Sequence, residues 1–567
     1  MSTIVACNRG HNSATTLVID GEVKFYIEEE RLTRRKYDGA PLAGLLKVFD
    51  YVDEVDHLIV CHTHRDGPKL DWTREDVYVG FIRKMMKNKP FQVHYVDEIH
   101  HELHAACAFI NSGFETAACL SVDGAGSFLK SDAFSETGYE FETIFRASYP
   151  LQFEQVYQHI GTHSRVGMLR LEDTENNSTT VVTEYPGITK AYEAITDYCG
   201  FTSIEAGKTM GLSPYGRENP DIPPFITHDG WVDRSVFTPT FPNGSVVNKE
   251  RFDAIREDSN IHEKGSYTQF QKDMAYKIQR ESEKYMFNLI RKAHELTGET
   301  NFCIAGGFGL NCVANYKYWK EFPDFNIYCE PISHDGGTPL GAAKMLHLRE
   351  IDSYEPPAPT TSIYYGPQYD PATYESDLVG LDVKDTSYDD VAKLIREGNI
   401  VTIFQGRSEG GPRALGNRSI LFDPTIPDGK DIVNRVKRRE FFRPFACSIK
   451  KEAACDWFDL AGREETPHMM YAVDALPGVA EKVPSVIHVD GTCRIQTVTP
   501  EQNEHYYNLI DAFEKLSEVP ILFNTSFNLG GDPLVETIED AVNTLNKSDI
   551  EYLYLPEIQK LVYIPNI

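Results

Sequence analysis

The chain has 567 residues, too many for one hydrophobic core, so two or three domains are expected. Acidic residues outnumber basic ones 85 to 56, a net charge of −29, and such a surface repels the phosphates of duplex nucleic acid. There is no apolar run of about 18 residues, and Arg9 breaks the stretch a signal peptide would need, so a cytoplasmic protein without a membrane span is expected.

Residues 2–30 read as strand, turn and strand: TIVACN, then GHNSA, then TTLVIDGEVKFYI with a hairpin signal at IDG. HHELHAACAFIN has helical spacing, and AACLSVDGAGSF is an apolar strand ending in Asp-Gly-x-Gly. TQFQKDMAYKIQRESEKYMFNLIRKAHELTG predicts a long amphipathic helix that stops at Gly298. NFCIAGGFGLNCVAN is strand, glycine loop and helix, and FNIYCEPISHDGGTPLGAA repeats that plan. The proline-rich stretch 355–362 reads as a linker between one α/β domain over 1–354 and another over 363–567. VAKLIREGNIVTIFQGRSEGG then gives helix, strand and glycine-rich loop. The 11 cysteines are scattered without a CxxC pair and read as reduced, mostly buried thiols.

His100 and His104 lie one helical turn apart, so both imidazoles reach one ion or, equally, form a pair of core or solvated rings. The zinc-protease spacing is not met, because His101 and His104 are three apart. Asp123 and Asp335 each end a strand and precede glycine, in loops where α/β sheets bind ligands, though Asp before Gly also simply makes turns. Two imidazoles with one or two carboxylates suit Fe(II), Mn(II) or Zn(II). Gly207-Lys208-Thr209 is not a phosphate-binding P-loop, since Thr202 stands where its first glycine is required, and Gly306-Gly307-Phe308-Gly309 misses the dinucleotide spacing.

In the C-terminal half, basic residues cluster in glycine-rich loops: Arg407, Arg413 and Arg418 in FQGRSEGGPRALGNRSILFDP, Lys437, Arg438, Arg439 and Arg443 in VKRREFFRPFACS, and Arg494 with Gln496 in GTCRIQTV. PILFNTSFNLGGDP adds Asn524, Thr525, Ser526 and Asn528 as polar donors after an apolar strand. Arginine forks fit phosphate and carboxylate oxygens, although salt bridges to surface carboxylates would explain VKRRE as well.

Together these stretches resemble the NodU/CmcH family of O-carbamoyltransferases. GHNSATTLVIDG, EEERLTRRKYD, HHELHAACAF, LSVDGAGS, EAGKTMGLSPYG, IAGGFGLNCVAN, HDGGTPLGAA, GRSEGGPRALGNRSIL, VKRREFFRPFACS, DGTCRIQTV and NTSFNLGGDPLVETIEDAV follow in the family's order over nearly the whole chain. The resemblance implies an α/β fold: an actin/Hsp70-like ATPase domain of the TsaD type, then a YrdC-like domain. It implies that ATP and carbamoyl phosphate form carbamoyl adenylate in the C-terminal domain. The carbamoyl group then passes to an acceptor hydroxyl in the N-terminal domain, where a divalent metal, Fe(II) or another, holds the phosphate; Mg accompanies ATP. By motif match, His100, His104, Asp123 and Asp335 are the metal ligands, and Lys208, Gly306, Gly307 and Asn311 belong to the N-terminal nucleotide site. Arg413, Arg418, Lys437, Arg443, Arg494, Asn524 and Ser526 line the activation site, with Arg418, Lys437 and Arg443 catalytic, and His11 is the base for the hydroxyl. Asn12, where many members have Asp, bears on how His11 is oriented. The acceptor stays open between a sugar or natural-product hydroxyl and a hydroxymethyl-pyrimidine nucleotide or DNA, with RLTRRKYD or FIRKMMKNK as a local basic track for a polymer. Acceptor loops are expected within 60–95 and 140–265, and a homodimer is the expected assembly. Transfer of threonylcarbamoyl to tRNA, or a non-catalytic regulator of the same fold, are the competing readings.

Overall fold

The computed structural model describes residues 2–63, 76–131, 134–162, 167–239, 245–253, 267–351, 353 and 355–565. The expected acceptor loops fall in part on 64–75, 163–166, 240–244 and 254–266, which lie outside the described residues. The chain gathers into two units: Met1–Gly10, Thr16–Glu22 and Leu45–Pro359 in one, His11–Thr15, Val23–Gly44 and Thr360–Ile567 in the other. Residues 355–362 are neither helix nor strand. Both units are mixed α/β, the fold class expected.

In the first unit, β1 (Thr3–Asn8) lies between β2 (Ala14–Ile19) and β3 (His57–Cys61), and β4 (Gln92–Tyr95) pairs in parallel with β3. The turn after β2 has Asp20 and Gly21 at φ 49° and 85°, the left-handed pair that an Asp-Gly hairpin requires. Helix α1 (His100–Ser112) precedes a second sheet. That sheet is built from β5 (Thr116–Val122), β6 (Phe134–Ser148), β7 (Gln152–Gly161), β8 (Met168–Asp173), β9 (Ser178–Thr183), β10 (Asn301–Ala305) and β11 (Asn326–Cys329). Its order is β8, β9, β7, β6, β5, β10, β11, with the short strand Phe128–Ser131 added on β6. β5, β10 and β11 run in parallel, so their C-terminal ends open on the same edge. Helix α2 (Gln269–Thr297) starts at a capping box of Thr268 and Gln271 and stops at left-handed Gly298, as its sequence predicts. Helix α3 (Cys312–Glu321) follows β10, and α4 (Gly337–Glu350) packs against α1. The strand before Asp335 is shorter than expected: it ends at Cys329, and Asp335 stands in the turn that leads into α4. Leu103, Phe109, Leu120, Ile304 and Leu340 are fully buried, and each such side chain contributes about 1.5–3 kcal/mol.

The second unit carries one sheet of ten strands among the described residues. They are β12 (Asp382–Asp385), β13 (Val401–Phe404), β14 (Arg418–Phe422), β15 (Ala446–Lys450), β16 (Phe458–Asp459), β17 (Ala472–Ala475), β18 (Thr492–Val498), β19 (Ile521–Ser526), β20 (Tyr552–Leu555) and β21 (Lys560–Tyr563). The order is β12, β21, β20, β13, β14, β19, β15, β18, β17, β16, which puts the motif-bearing strands β14, β19, β15 and β18 side by side. Helix α5 (Tyr388–Arg396) is capped by Ser387 and Asp390. Phe404, Ile420, Val535, Leu553 and Val562 form a core beneath this sheet. All 11 cysteines are free and ten are buried, as expected of reduced thiols.

Candidate metal centre and anion site

Helix α1 has no side chain of its own to cap its start; instead the hydroxyl of Ser127 accepts the His100 N–H at 3.0 Å. This fixes the first turn, and the one-turn spacing then turns His100 and His104 the same way, their Nε2 atoms 3.2 Å apart. Asp123 comes from the end of β5 and Asp335 from the turn before α4. Asp123 Oδ2 is 3.5 Å from His100 Nε2, and Asp335 Oδ1 is 3.7 Å from both imidazoles. One ligand atom from each of the four residues lies within 4.8 Å of all the others, so the expected ligand set converges on one point. Burial works against a charge on His100, but Asp123 and Asp335 outweigh it and raise its pKa to about 10. Burial and Asp335 push Asp123 up, and the two imidazoles more than reverse this, leaving it below the usual carboxylate range. A buried carboxylate, Asp123, brought close to the half-buried Asp335 favours a cation between them, and this donor set suits a divalent transition metal. His101 points elsewhere: its Nδ1 meets Thr143 Oγ1 at 2.8 Å, and burial pushes its pKa down to about 3.

The glycine turn after β10 reaches the same place. Gly306 has φ 82°, and a Cβ there would lie 2.4 Å from the Val122 carbonyl, so only glycine fits. The next N–H, of Gly307, donates to Asp123 Oδ1 at 3.0 Å. Asn311 caps α3 and pairs side chain to side chain with Gln279 of α2, whose Oε1 also accepts the Tyr192 hydroxyl at 2.8 Å. Lys208 lies on the helix Ala206–Leu212 with its ammonium 2.7 Å from Glu205, and Met210 of that helix touches Cys312 next to Asn311. The structure therefore joins Gly306 and Gly307 to Asp123 of the candidate ligand set and gathers Asn311 with the helix that carries Lys208.

The basic cluster expected to bind an anion belongs to the second unit. Lys437 follows the helix Gly429–Val436 and is 1% exposed. Its Nζ donates to the Ser526 carbonyl, to Ser526 Oγ at 3.3 Å and to Asn528 Oδ1 at 3.2 Å, with Ser526 and Asn528 at the end of β19. Burial, with Arg439 and Arg443 nearby, pulls the Lys437 pKa well below its ordinary value. Burial, Arg443 and Arg494 act on Arg439 in the same direction. Glu440, 3.8 Å from Arg443, offsets part of this charge. Arg494 leaves a buried Nε without a hydrogen-bond partner. Within VKRRE, Lys437 is thus turned inward and Arg439 is half-buried beside it, while Arg438 is exposed with its guanidinium on the Lys547 carbonyl.

The loop bearing Arg413 is tied down at each end. Glu409 Oε1 accepts the N–H groups of Leu415, Asn417 and Arg418 at 2.7, 2.9 and 3.2 Å. Asn524 Nδ2 holds the Ala414 carbonyl at 3.2 Å, and Gln496 Nε2 holds that of Leu415 at 2.9 Å. Arg418, expected to be catalytic, is fully buried: its guanidinium stacks 3.7 Å over Phe404 and donates to the carbonyls of Gln405, Gly406, Asn417 and Glu536. That geometry makes it a strut that shapes the loop from beneath. Arg407 likewise holds the carbonyls of Lys24, Tyr365 and Gly366. Glu409 and Glu536 have no role assigned from sequence, and Arg31 is placed there only in a basic track for a polymer acceptor. Arg31 is fully enclosed, bonded to Glu28 and to the carbonyls of Glu409 and Gly411. Arg34 holds the carbonyls of Pro533 and Leu534, so within RLTRRKYD Arg31 and Arg34 are turned to the protein itself, while Arg35 and Lys36 are exposed. His11 is exposed, in the segment His11–Thr15 of the second unit.

These two sites belong to a group-transfer enzyme, and comparison gives the class. Residues 66–344 match the profile described as carbamoyltransferase N-terminus, and residues 392–560 match carbamoyltransferase C-terminus. The chain belongs to the carbamoyltransferase family and is a carbamoyltransferase, as the sequence motifs imply. Nodulation protein NolNO of Sinorhizobium fredii is 32% identical over 96% of this chain and 78% of its own length. An uncharacterized protein of Synechocystis is 30% identical over 96% of this chain and 94% of its own. Nodulation protein U of Rhizobium tropici is 35% identical over 43% of this chain and 41% of its own. Among solved structures, full-length HypF in its phosphate- and nucleotide-bound form aligns with 61% of this chain and 55% of its own, at 11% identity and a TM-score of 0.37. Among the described residues no helix is long and apolar enough to cross a membrane.

Proposed function

We propose that this carbamoyltransferase uses ATP and carbamoyl phosphate to form carbamoyl adenylate and passes the carbamoyl group to an acceptor hydroxyl. The observation that carries this reading is the gathering of Arg439 and Arg443 about the buried Lys437, with Arg494 beside Arg439: burial and the neighbouring guanidinium charges hold the pKa values of Lys437 and Arg439 well below their ordinary range. Such a cluster is costly when empty and is relieved by a polyanion such as ATP or carbamoyl phosphate. Carbamoyl phosphate and water give carbamate and phosphate. A carbamate oxygen then attacks the α-phosphorus of ATP, a new P–O bond forms, and pyrophosphate leaves. The arginines donate N–H bonds to phosphate oxygens as charge moves onto the leaving group. Lys437, aimed by Ser526 and Asn528, supplies a point charge.

In transfer, the acceptor oxygen attacks the carbamoyl carbon and AMP leaves; His11 is the candidate to take the hydroxyl proton. His100, His104, Asp123 and Asp335 would hold a divalent ion, Fe(II) on the family resemblance, which supplies Lewis-acid charge at the phosphate. The Gly306–Gly307 turn presents the nucleotide site beside them, on an actin/Hsp70-like ATPase fold, with the adenylate formed on the YrdC-like part. The net charge of −29 and the inward engagement of Arg31 and Arg34 favour a small hydroxylated acceptor over DNA.

The test incubates the purified chain with ATP, Mg²⁺, Fe²⁺ and ¹³C-carbamoyl phosphate and follows products by mass spectrometry. The panel holds sugars, aminoglycosides, hydroxymethyl-dCTP and DNA containing hydroxymethylcytosine. Gain of one labelled carbamoyl group on a panel member names the acceptor class. Failure to form any carbamoyl adenylate would overturn the proposal.

A further inference from the structure

The distance between His100 and Asp123 is not fixed by either element alone, since one opens α1 and the other closes β5. Ser121 on β5 ties the first turn of α1 through the His101 carbonyl at 2.7 Å, and the loop that follows Asp123 adds a second tie, which is held by Glu140 on β6. Glu140 is 4% exposed. Its Oε2 accepts the Ser127 N–H at 2.7 Å, its Oε1 accepts Gln158 Nε2 at 2.7 Å, and its carbonyl accepts the Gly126 N–H at 2.8 Å. Ser127 is the residue whose hydroxyl accepts the His100 N–H. At the other end of the loop the Asp123 N–H donates to the Phe141 carbonyl at 3.0 Å. Residues 123–127 are thus pinned to Glu140 and Phe141 and, through Ser127, to the first residue of α1. The fit is close: a Cβ on Gly126 would stand 2.6 Å from His101 Nε2 and 2.7 Å from Glu140 Oε2.

We propose that Glu140 is a positioning residue of the metal centre, which through Ser127 sets Asp123 and His100 at ligand spacing before a divalent cation arrives. The proposal rests on the metal reading above. If that reading fails, the wild-type chain binds no ion; if only the present inference fails, the wild type binds and the variants bind equally well.

Glu142 gives the contrast. It lies two residues along the same strand and is 1% exposed, but its carboxylate bonds His159 at 2.6 Å and the Ile188 N–H at 3.1 Å, away from the loop. The experiment titrates Mn²⁺ into the metal-free full chain by calorimetry and records the melting temperature of each metal-free variant. Glu140→Ala and Gly126→Ala are expected to weaken Mn²⁺ binding by about 10–100-fold, the usual effect of losing an outer partner of a metal site. Glu140→Gln, which keeps an oxygen for the Ser127 N–H, restores binding to within about threefold. Glu142→Gln lowers the melting temperature and leaves Mn²⁺ affinity alone. If Glu140→Ala does not fold, Gly126→Ala decides. Wild-type affinity in Gly126→Ala and Glu140→Ala, or an equal loss in Glu142→Gln, overturns the assignment.

Discussion

The proposed metal centre makes a quantitative demand on pH. Without an ion, Asp123 and Asp335 hold a proton on His100, whose pKa is raised to about 10. A cation can bind only after that proton leaves, since both imidazoles must offer lone pairs. The folded pKa lies above the ordinary histidine value, so the proton is bound throughout the neutral range and its displacement becomes cheaper as pH rises. At neutral pH the displacement costs about three pKa units, or about 4 kcal/mol. Apparent affinity is therefore expected to rise about tenfold per pH unit, hence about a hundredfold from about pH 6.5 to about pH 8.5. Calorimetric titration of Mn²⁺ in two buffers of different ionisation enthalpy reads the protons released, with one per ion expected at neutral pH. Asp335→Asn removes one of the charges that hold the proton and also one ligand, so its residual binding is weaker and its pH slope shallower. An affinity that is flat with pH and releases no proton would refute the reasoning.

Asp335→Ala and His100→Ala each are expected to strip the ion from the purified protein with the circular dichroism spectrum unchanged; full metal content by elemental analysis would remove either residue from the ligand set. Lys437→Met relieves a buried charge that its neighbours Arg439 and Arg443 oppose, so the variant melts higher than wild type without ligand, gains less from added ATP and makes no carbamoyl adenylate. Arg418→Ala leaves four carbonyls in the sheet's interior without their donor and is expected to cost about 3–5 kcal/mol in denaturant unfolding, a loss larger than any surface arginine would give. His468 is buried with its pKa pushed down to about 4 from 6.5. It is neutral in the fold and charged when unfolded, so its share of stability is full above about pH 6.5 and falls by about 3 kcal/mol as pH drops toward 4, a slope that His468→Gln removes.

What could be read from the sequence and what could not divide along one physical line, the distance over which a residue acts. His100 and His104 are legible because a helix repeats every 3.6 residues, and Asp123 because a strand followed by Asp-Gly marks a loop at a sheet edge. The Lys437 and Ser526–Asn528 motifs stand out as polar groups following apolar strands or helices, and the sheet order then makes their strands neighbours. Arg418 shows the limit of that kind of reading. Its motif is as conspicuous as that of Lys437, yet the fold gives its guanidinium to main-chain carbonyls, while Lys437 is set close to the guanidinium groups of Arg439 and Arg443. Glu140 leaves no local trace, and Arg31 lies in a conspicuous basic stretch whose partners the sequence does not show. Glu140 is one carboxylate in a strand, and its role exists only because β6 lies beside β5. Arg31 bonds a carbonyl 378 positions later in the chain. A buried charge with long-range partners is chosen by the finished fold, since only there is it desolvated and its partners fixed. The supporting framework of a site is therefore less visible in sequence than its candidate ligands, and it is in that framework that variants are expected to separate Mn²⁺ affinity from folding.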